Sequence, residues 1–178
     1  MVVRPWAKPV QTAVVAKVAV PSHAELVDLD GDGYKDLIVA ELGTLLPEEH
    51  DKGQLIWFRG TPDGKFAPMV VLDRVGRIGD FEAGDVDGDG DIDLVVAVFG
   101  WRRTGSFLLL ENQGRDRTGR PLFKHIEFDK RSGSLGVNLA DIDGDGRMDI
   151  VAMITQQYEE VVAYLNRGGS RFEPVVLF

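Results

Sequence analysis

The chain has 178 residues, enough for one domain with a real core, and a formal net charge of −9 that argues against a nucleic-acid or anionic-membrane partner. It has no cysteine, which excludes disulfides, thiolate catalysis and zinc–thiolate sites. No apolar run approaches the ~18–20 residues of a membrane span.

From the N-terminus, Met1-Val-Val-Arg4-Pro5-Trp6 has no apolar signal-peptide region, which leaves two readings, a cytosolic chain or a mature or excised piece with a start methionine added. Ala13-Val14-Val15-Ala-Lys-Val18 predicts a first strand. The alternating stretch Ala24-Glu-Leu26-Val27 predicts another, which runs into the nine residues Asp28-Leu-Asp30-Gly-Asp32-Gly33-Tyr34-Lys-Asp36. Leu37-Ile-Val-Ala40 follows as a strand apolar on both faces. After a connection from Glu41 to Gly53 come Leu55-Ile-Trp57-Phe58, a turn at Gly60-Thr-Pro-Asp63-Gly64, and a strand that opens at Phe66.

The same order recurs twice. Phe81-Glu-Ala83-Gly84 leads into Asp85-Val-Asp87-Gly-Asp89-Gly90-Asp91-Ile-Asp93, then Leu94-Val-Val-Ala97, Phe107-Leu-Leu-Leu110, a turn at Asn112-Gln-Gly114 and a strand from Phe123. Leu135-Gly-Val137-Asn-Leu139-Ala140 leads into Asp141-Ile-Asp143-Gly-Asp145-Gly146-Arg147-Met-Asp149. Ile150-Val-Ala-Met153, Val161-Val-Ala-Tyr164, a turn at Asn166-Arg-Gly168-Gly169 and a strand from Phe172 complete that copy. The first aspartates of the loops are 57 and then 56 residues apart.

A repeated unit of four short strands, with no segment of helical period, predicts an all-β fold of the β-propeller kind. A β-sandwich would have strands of this length but no reason to repeat one loop in register. The expected architecture is an arc of about three four-stranded blades plus one extra N-terminal outer strand. Residues 1–22 would hold that strand, 23–76 the first blade, 77–133 the second and 134–178 the third. Closed propellers have about four to eight blades. The arc is therefore expected to be part of a larger propeller, or to complete a ring as a homo-oligomer.

Thirteen of the 29 acidic residues are aspartates of the three loops, and the rest of the chain is slightly basic. Calcium is a hard cation that takes about six to eight oxygens, and a tightly turning chain supplies them at alternate positions. Positions 1, 3, 5 and 9 are aspartate in every copy, giving Asp28, Asp30, Asp32 and Asp36, then Asp85, Asp87, Asp89 and Asp93, then Asp141, Asp143, Asp145 and Asp149. Position 7 varies as Tyr34, Asp91 and Arg147, as suits a backbone-carbonyl ligand. Position 6 is glycine throughout, as a left-handed turn demands. Position 4 is glycine too, which lets the backbone lie close to an ion. An EF-hand would need glutamate at position 12 between two helices, but Val39, Val96 and Ala152 stand there in strands. Magnesium resists losing its waters and seldom takes an all-protein cage. The expectation is three Ca²⁺, one per loop, against a metal-free Asp-Gly turn in which the carboxylates would repel one another.

The pattern Asp-x-Asp-Gly-Asp-Gly-x-x-Asp-[Leu/Ile], a strand, then Asn-x-Gly and a phenylalanine resembles the FG-GAP/VCBS-type repeat family over about residues 12–178. The resemblance implies a β-propeller with calcium in the loop between the first two strands of each blade. The Gly-Ala-Pro of the integrin version is replaced by Val39-Ala-Glu, Val96-Ala-Val and Ala152-Met-Ile, so the chain resembles the bacterial VCBS-type repeat more.

His23, His50 and His125 show no metal-ligand spacing and read as surface or turn residues. Trp57 and Phe58 read as blade core. Trp101, beside Arg102 and Arg103, suits either a sugar or protein contact or a ring folded over the blade edge. The connection Glu41–Lys52 reads as a longer turn or a recognition loop. No nucleophile elbow, phosphate loop or dinucleotide fingerprint is present. The expected function is non-enzymatic: a calcium-binding structural or interaction module for a protein or glycan, extracellular or periplasmic. The alternative is a part of a secreted carbohydrate-active enzyme, such as a polysaccharide lyase built on a calcium-bearing propeller.

Overall fold

The structure is a computed structural model that describes residues 17–46, 48–156 and 158–178. Among the described residues there are twelve strands and no helix, hence none long and apolar enough to cross a membrane. β1 (Pro21–Val27), β2 (Asp36–Glu41), β3 (Gly53–Gly60) and β4 (Phe66–Val75) form the first sheet. β5 (Arg77–Gly84), β6 (Asp93–Phe99), β7 (Ser106–Arg115) and β8 (Pro121–Asp129) form the second. β9 (Ser134–Ala140), β10 (Asp149–Ile154), β11 (Glu160–Asn166) and β12 (Phe172–Val176) form the third. Each sheet is an antiparallel meander in chain order, and none closes into a barrel. β5 packs between β1 and β9, so the sheets stand side by side as a propeller arc. The strand expected at Ala13–Val18 lies outside the described residues up to Ala16. Lys17 and Val18 belong to no strand.

Side-chain alternation along the second strand of each sheet makes the arc. Leu94, Val96 and Val98 of β6 face the first sheet and share a core with Ile38, Ala40, Leu55 and Trp57. The intervening Val95 and Ala97 face the third sheet and pack with Ile150, Ala152 and Ile154. The unbroken apolar run in β6 thus reflects burial on both faces, and Leu94 through Ala97 are 0% exposed. Full burial of one such side chain stabilises the fold by about 1.5–3 kcal/mol.

Polar groups bridge neighbouring blades. At the inner strands, Glu25 Oε2 accepts from Ala83 N at 3.3 Å, Asp80 Oδ2 accepts from Val137 N at 3.1 Å, and Ser22 Oγ donates to Ile78 O at 2.7 Å. The 41–52 connection is a clasp between blades. The Glu49 carboxylate accepts from Arg102 N, Arg103 N and Thr104 Oγ1, which fixes the loop carrying the half-exposed Trp101. Between the second and third sheets, Arg131 donates to Asp129 at 2.7 Å, to Tyr164 Oη at 2.8 Å and to Glu160 at 2.7 Å.

His23 departs from the surface or turn position expected of it. It lies in β1, half-buried, paired with Asp80 and packed on the Phe81 ring at 5.1 Å. Glu25 and Glu82 complete this cluster. Burial, and then repulsion from Glu82, pushes the Glu25 carboxyl up to about 7. A carboxyl raised in the folded state contributes fully below its ordinary value of 4.5 and loses that contribution as pH rises through 7. Gln keeps the oxygen that receives Ala83 N but carries no charge. Glu25→Gln is therefore expected to exceed wild type in stability by about 1–2 kcal/mol near pH 8 and to match it near pH 4. Urea unfolding at the two pH values checks this.

Candidate metal centres

Each nine-residue loop joins the first strand of a blade to the second, at the same end of all three sheets. Glycine at positions 4 and 6 sets the turn. φ is +61° and +90° at Gly31 and Gly33, +83° and +94° at Gly88 and Gly90, and +77° and +88° at Gly144 and Gly146. Nothing lies within 4 Å of a Cβ built on Gly88, Gly90, Gly144 or Gly146. At Gly88 and Gly144, glycine at position 4 is thus required by the left-handed backbone and not by crowding, whereas a Cβ on Gly31 would also come within 3.2 Å of Arg115 Nη2.

The aspartates fold the loop back on itself. At position 1, Asp28 accepts from Asp32 N at 3.0 Å and Gly33 N at 2.8 Å, Asp85 accepts from Gly88 N and Gly90 N, and Asp141 accepts from Gly144 N, Asp145 N and Gly146 N. At position 5, Asp32, Asp89 and Asp145 accept from the backbone N–H of position 7, namely Tyr34, Asp91 and Arg147. At position 9, Asp36, Asp93 and Asp149 are all 0% exposed. Their Oδ2 accepts from position 2, at Leu29, Val86 and Ile142, within 2.8–2.9 Å. Their Oδ1 accepts at 2.7 Å from Gly60, Asn112 and Asn166 of the third strand. This buried aspartate clamps the loop to the sheet.

Three carboxylates converge in every loop. Asp28, Asp30 and Asp32 bring one oxygen each within 4.8 Å of one another, as do Asp85, Asp87 and Asp93, and Asp141, Asp143 and Asp149. Asp36, Asp89 and Asp145 stand outside these triads. Burial is the first cause that raises Asp30 and Asp87, with neighbouring carboxylates adding to it. Burial likewise pushes Asp93 up to about 6 against its backbone donors. Asp30 Oδ2 is buried without an aligned hydrogen-bond donor. Convergent carboxylate oxygens, with one aspartate of each triad buried, fit a hard divalent cation.

Residues 26–96 match the family model of the FG-GAP-like repeat. Over these residues the chain is similar to the FG-GAP-like repeat. It takes in the first two loops, from Leu26 in β1 to Val96 in β6. The third loop repeats the FG-GAP-like geometry, clamp for clamp. No curated protein matches the chain.

Some residues around the FG-GAP-like loops carry no signal in the nine-residue pattern. Asn112 Nδ2 donates to Ile92 O at 3.0 Å, and Asn166 Nδ2 to Met148 O at 3.0 Å and across the blade boundary to Val86 O at 2.7 Å. The Asn-x-Gly turn could have flagged these two. Arg59, Glu111 and Arg167 also reach the loops or flank them, and sequence spacing alone offers no pointer to them.

Proposed function

We propose that this chain is a calcium-stabilised propeller segment that works as a structural and interaction module outside the cytoplasm. One observation carries the reading: in each of three loops in register, three aspartate oxygens converge within 4.8 Å. Asp28, Asp30 and Asp32, with Asp85, Asp87, Asp93, Asp141, Asp143 and Asp149, would hold the ions. Bound calcium would supply the positive charge that these carboxylates lack. Extracellular calcium modules bind at roughly 10⁻⁴–10⁻³ M, a range matched to calcium outside cells. Each site then adds about 1.4 kcal/mol at tenfold excess over its Kd.

The partner is a protein or a glycan, and a second copy of the chain is one such protein. Val151, Met153, Val161 and Ala163 hold on the third sheet the register positions by which Val95, Ala97, Phe107 and Leu109 pack onto the next blade. Met153 and Val175 on that face are exposed. Calorimetric titration of the chain with calcium tests the reading, with light scattering on the saturated sample. Millimolar calcium is expected to bind and to raise the unfolding temperature, and magnesium to do much less. An unfolding temperature indifferent to EDTA overturns the calcium assignment, and a strictly monomeric mass overturns the self-association.

A further inference from the structure

The three loops differ in what already stands on their carboxylates. In the first, Arg59 of β3 lays its guanidinium over two of them. Nε lies 2.7 Å from Asp30 Oδ2 and Nη2 3.0 Å from Asp32 Oδ2. These are the oxygens that the loop's own turns leave over, since Oδ1 of Asp30 receives Asp32 N and Oδ1 of Asp32 receives Tyr34 N. The Asp30 side chain is 0% exposed, so this charge pair is only weakly screened.

In the third loop, Arg167 stands on Asp143 Oδ2 at 2.7 Å and Arg147 on Asp145. Both aspartates are partly exposed there, and Arg167 divides itself with Glu173 at 2.8 Å. In the second loop, Oδ1 of Asp87 and of Asp89 is again used by the turn, and among the described residues no arginine stands on either side chain. The register explains the contrast. Gly60, Asn112 and Asn166 are equivalent, because each donates its N–H to the position-9 aspartate. The residues just before them are Arg59, Glu111 and Leu165. One position of the repeat thus places a cation beside the first loop and a buried carboxylate, itself paired with Lys124, beside the second.

We propose that Arg59 is a built-in counter-cation of the first loop, holding Asp30 and Asp32 in the absence of metal and competing with calcium for them, so that the second loop binds calcium more tightly than the first. This rests on the reading of the loops as calcium sites. A guanidinium on the ligand oxygens opposes a divalent ion both by occupying them and by like charge. Arg59 is one-third exposed, which gives it a route to water when it yields.

The position-6 glycines report each loop separately, because Gly33, Gly90 and Gly146 donate their N–H to Asp28, Asp85 and Asp141. Titration of the ¹⁵N-labelled full chain with calcium should move the Gly90 amide resonance at lower calcium than that of Gly33. Arg59→Gln should lower the Gly33 midpoint about tenfold, because it frees the ligand oxygens and removes a like charge beside the ion, and leave Gly90 in place. It should also lower the unfolding temperature in EDTA. The wild-type order of shifts needs no variant to fold. Gly33 and Gly90 moving together in wild type overturn the proposal, as does a Gly33 midpoint unchanged in Arg59→Gln. Calcium that moves none of the three glycines overturns the calcium reading with it.

Discussion

Asp93→Ala is expected to destabilise the chain by about 3–5 kcal/mol, the range for a broken buried hydrogen-bond network, even with EDTA present throughout. Asp93 Oδ2 accepts from Val86 N at 2.8 Å and Asp87 N at 3.3 Å, and Oδ1 accepts from Asn112 N at 2.7 Å. The side chain is 0% exposed, so alanine strands these donors in or beside the core. A buried donor left without a partner costs about 1–3 kcal/mol. Two elements loosen together, because the clamp joins the loop to β7 as well as to its own strand. Asp93→Asn retains one acceptor and should fall between alanine and wild type. Denaturant unfolding in EDTA is the measurement. Wild-type stability for Asp93→Ala under those conditions would show that position 9 serves the metal alone and that the clamp contributes nothing.

The clamp marks the boundary of what the sequence made legible. Strand order, blade units and loop positions could be read because each depends on local pattern: alternation in Ala24–Val27, an unbroken apolar run in Leu94–Ala97, Gly and Asn at turns. The aspartates could be read as a group for the same reason. Their division of labour could not. Asp93 and Asp87 look alike in sequence, yet one is sealed under the loop and the other is exposed beside it. That difference arises from the third strand, which returns about twenty residues later to donate Asn112 N. Arg59 was illegible for the same reason, since only the pairing of β2 with β3 brings it over Asp30. Mutual repulsion, the cost expected of crowded carboxylates, also ranks below burial at Asp30 and Asp87, and burial belongs to the folded chain. His23 read as a surface or turn residue because nothing local announces a bridge to Asp80, which comes from the next blade.

Trp57→Ala is expected to cost about 3–5 kcal/mol, and Trp57→Phe less than about 1.5 kcal/mol. Trp57 is 0% exposed in the core between the first two sheets, with Ile38, Leu72, Phe81 and Leu110 in the same cluster. Its register equivalents in the other blades are Leu109 and Ala163, counted back from Asn112 and Asn166. The facing positions vary in the opposite sense. Leu110 shares the Trp57 core, whereas the larger Tyr164 shares the core of Leu109. Large residues thus meet smaller ones across each boundary, and alanine at position 57 leaves a void that rigid sheets close poorly. Phenylalanine fills most of it. It also removes Trp57 Nε1, a buried donor with no partner, whose desolvation already weighs against the fold. The two effects of Trp57→Phe therefore oppose each other, whereas those of Trp57→Ala are dominated by the void. Chemical unfolding of both variants separates them. Equal destabilisation by Phe and Ala would mean that the indole N–H is satisfied by an ordered water, and that the boundary is held by this polar contact more than by filled volume.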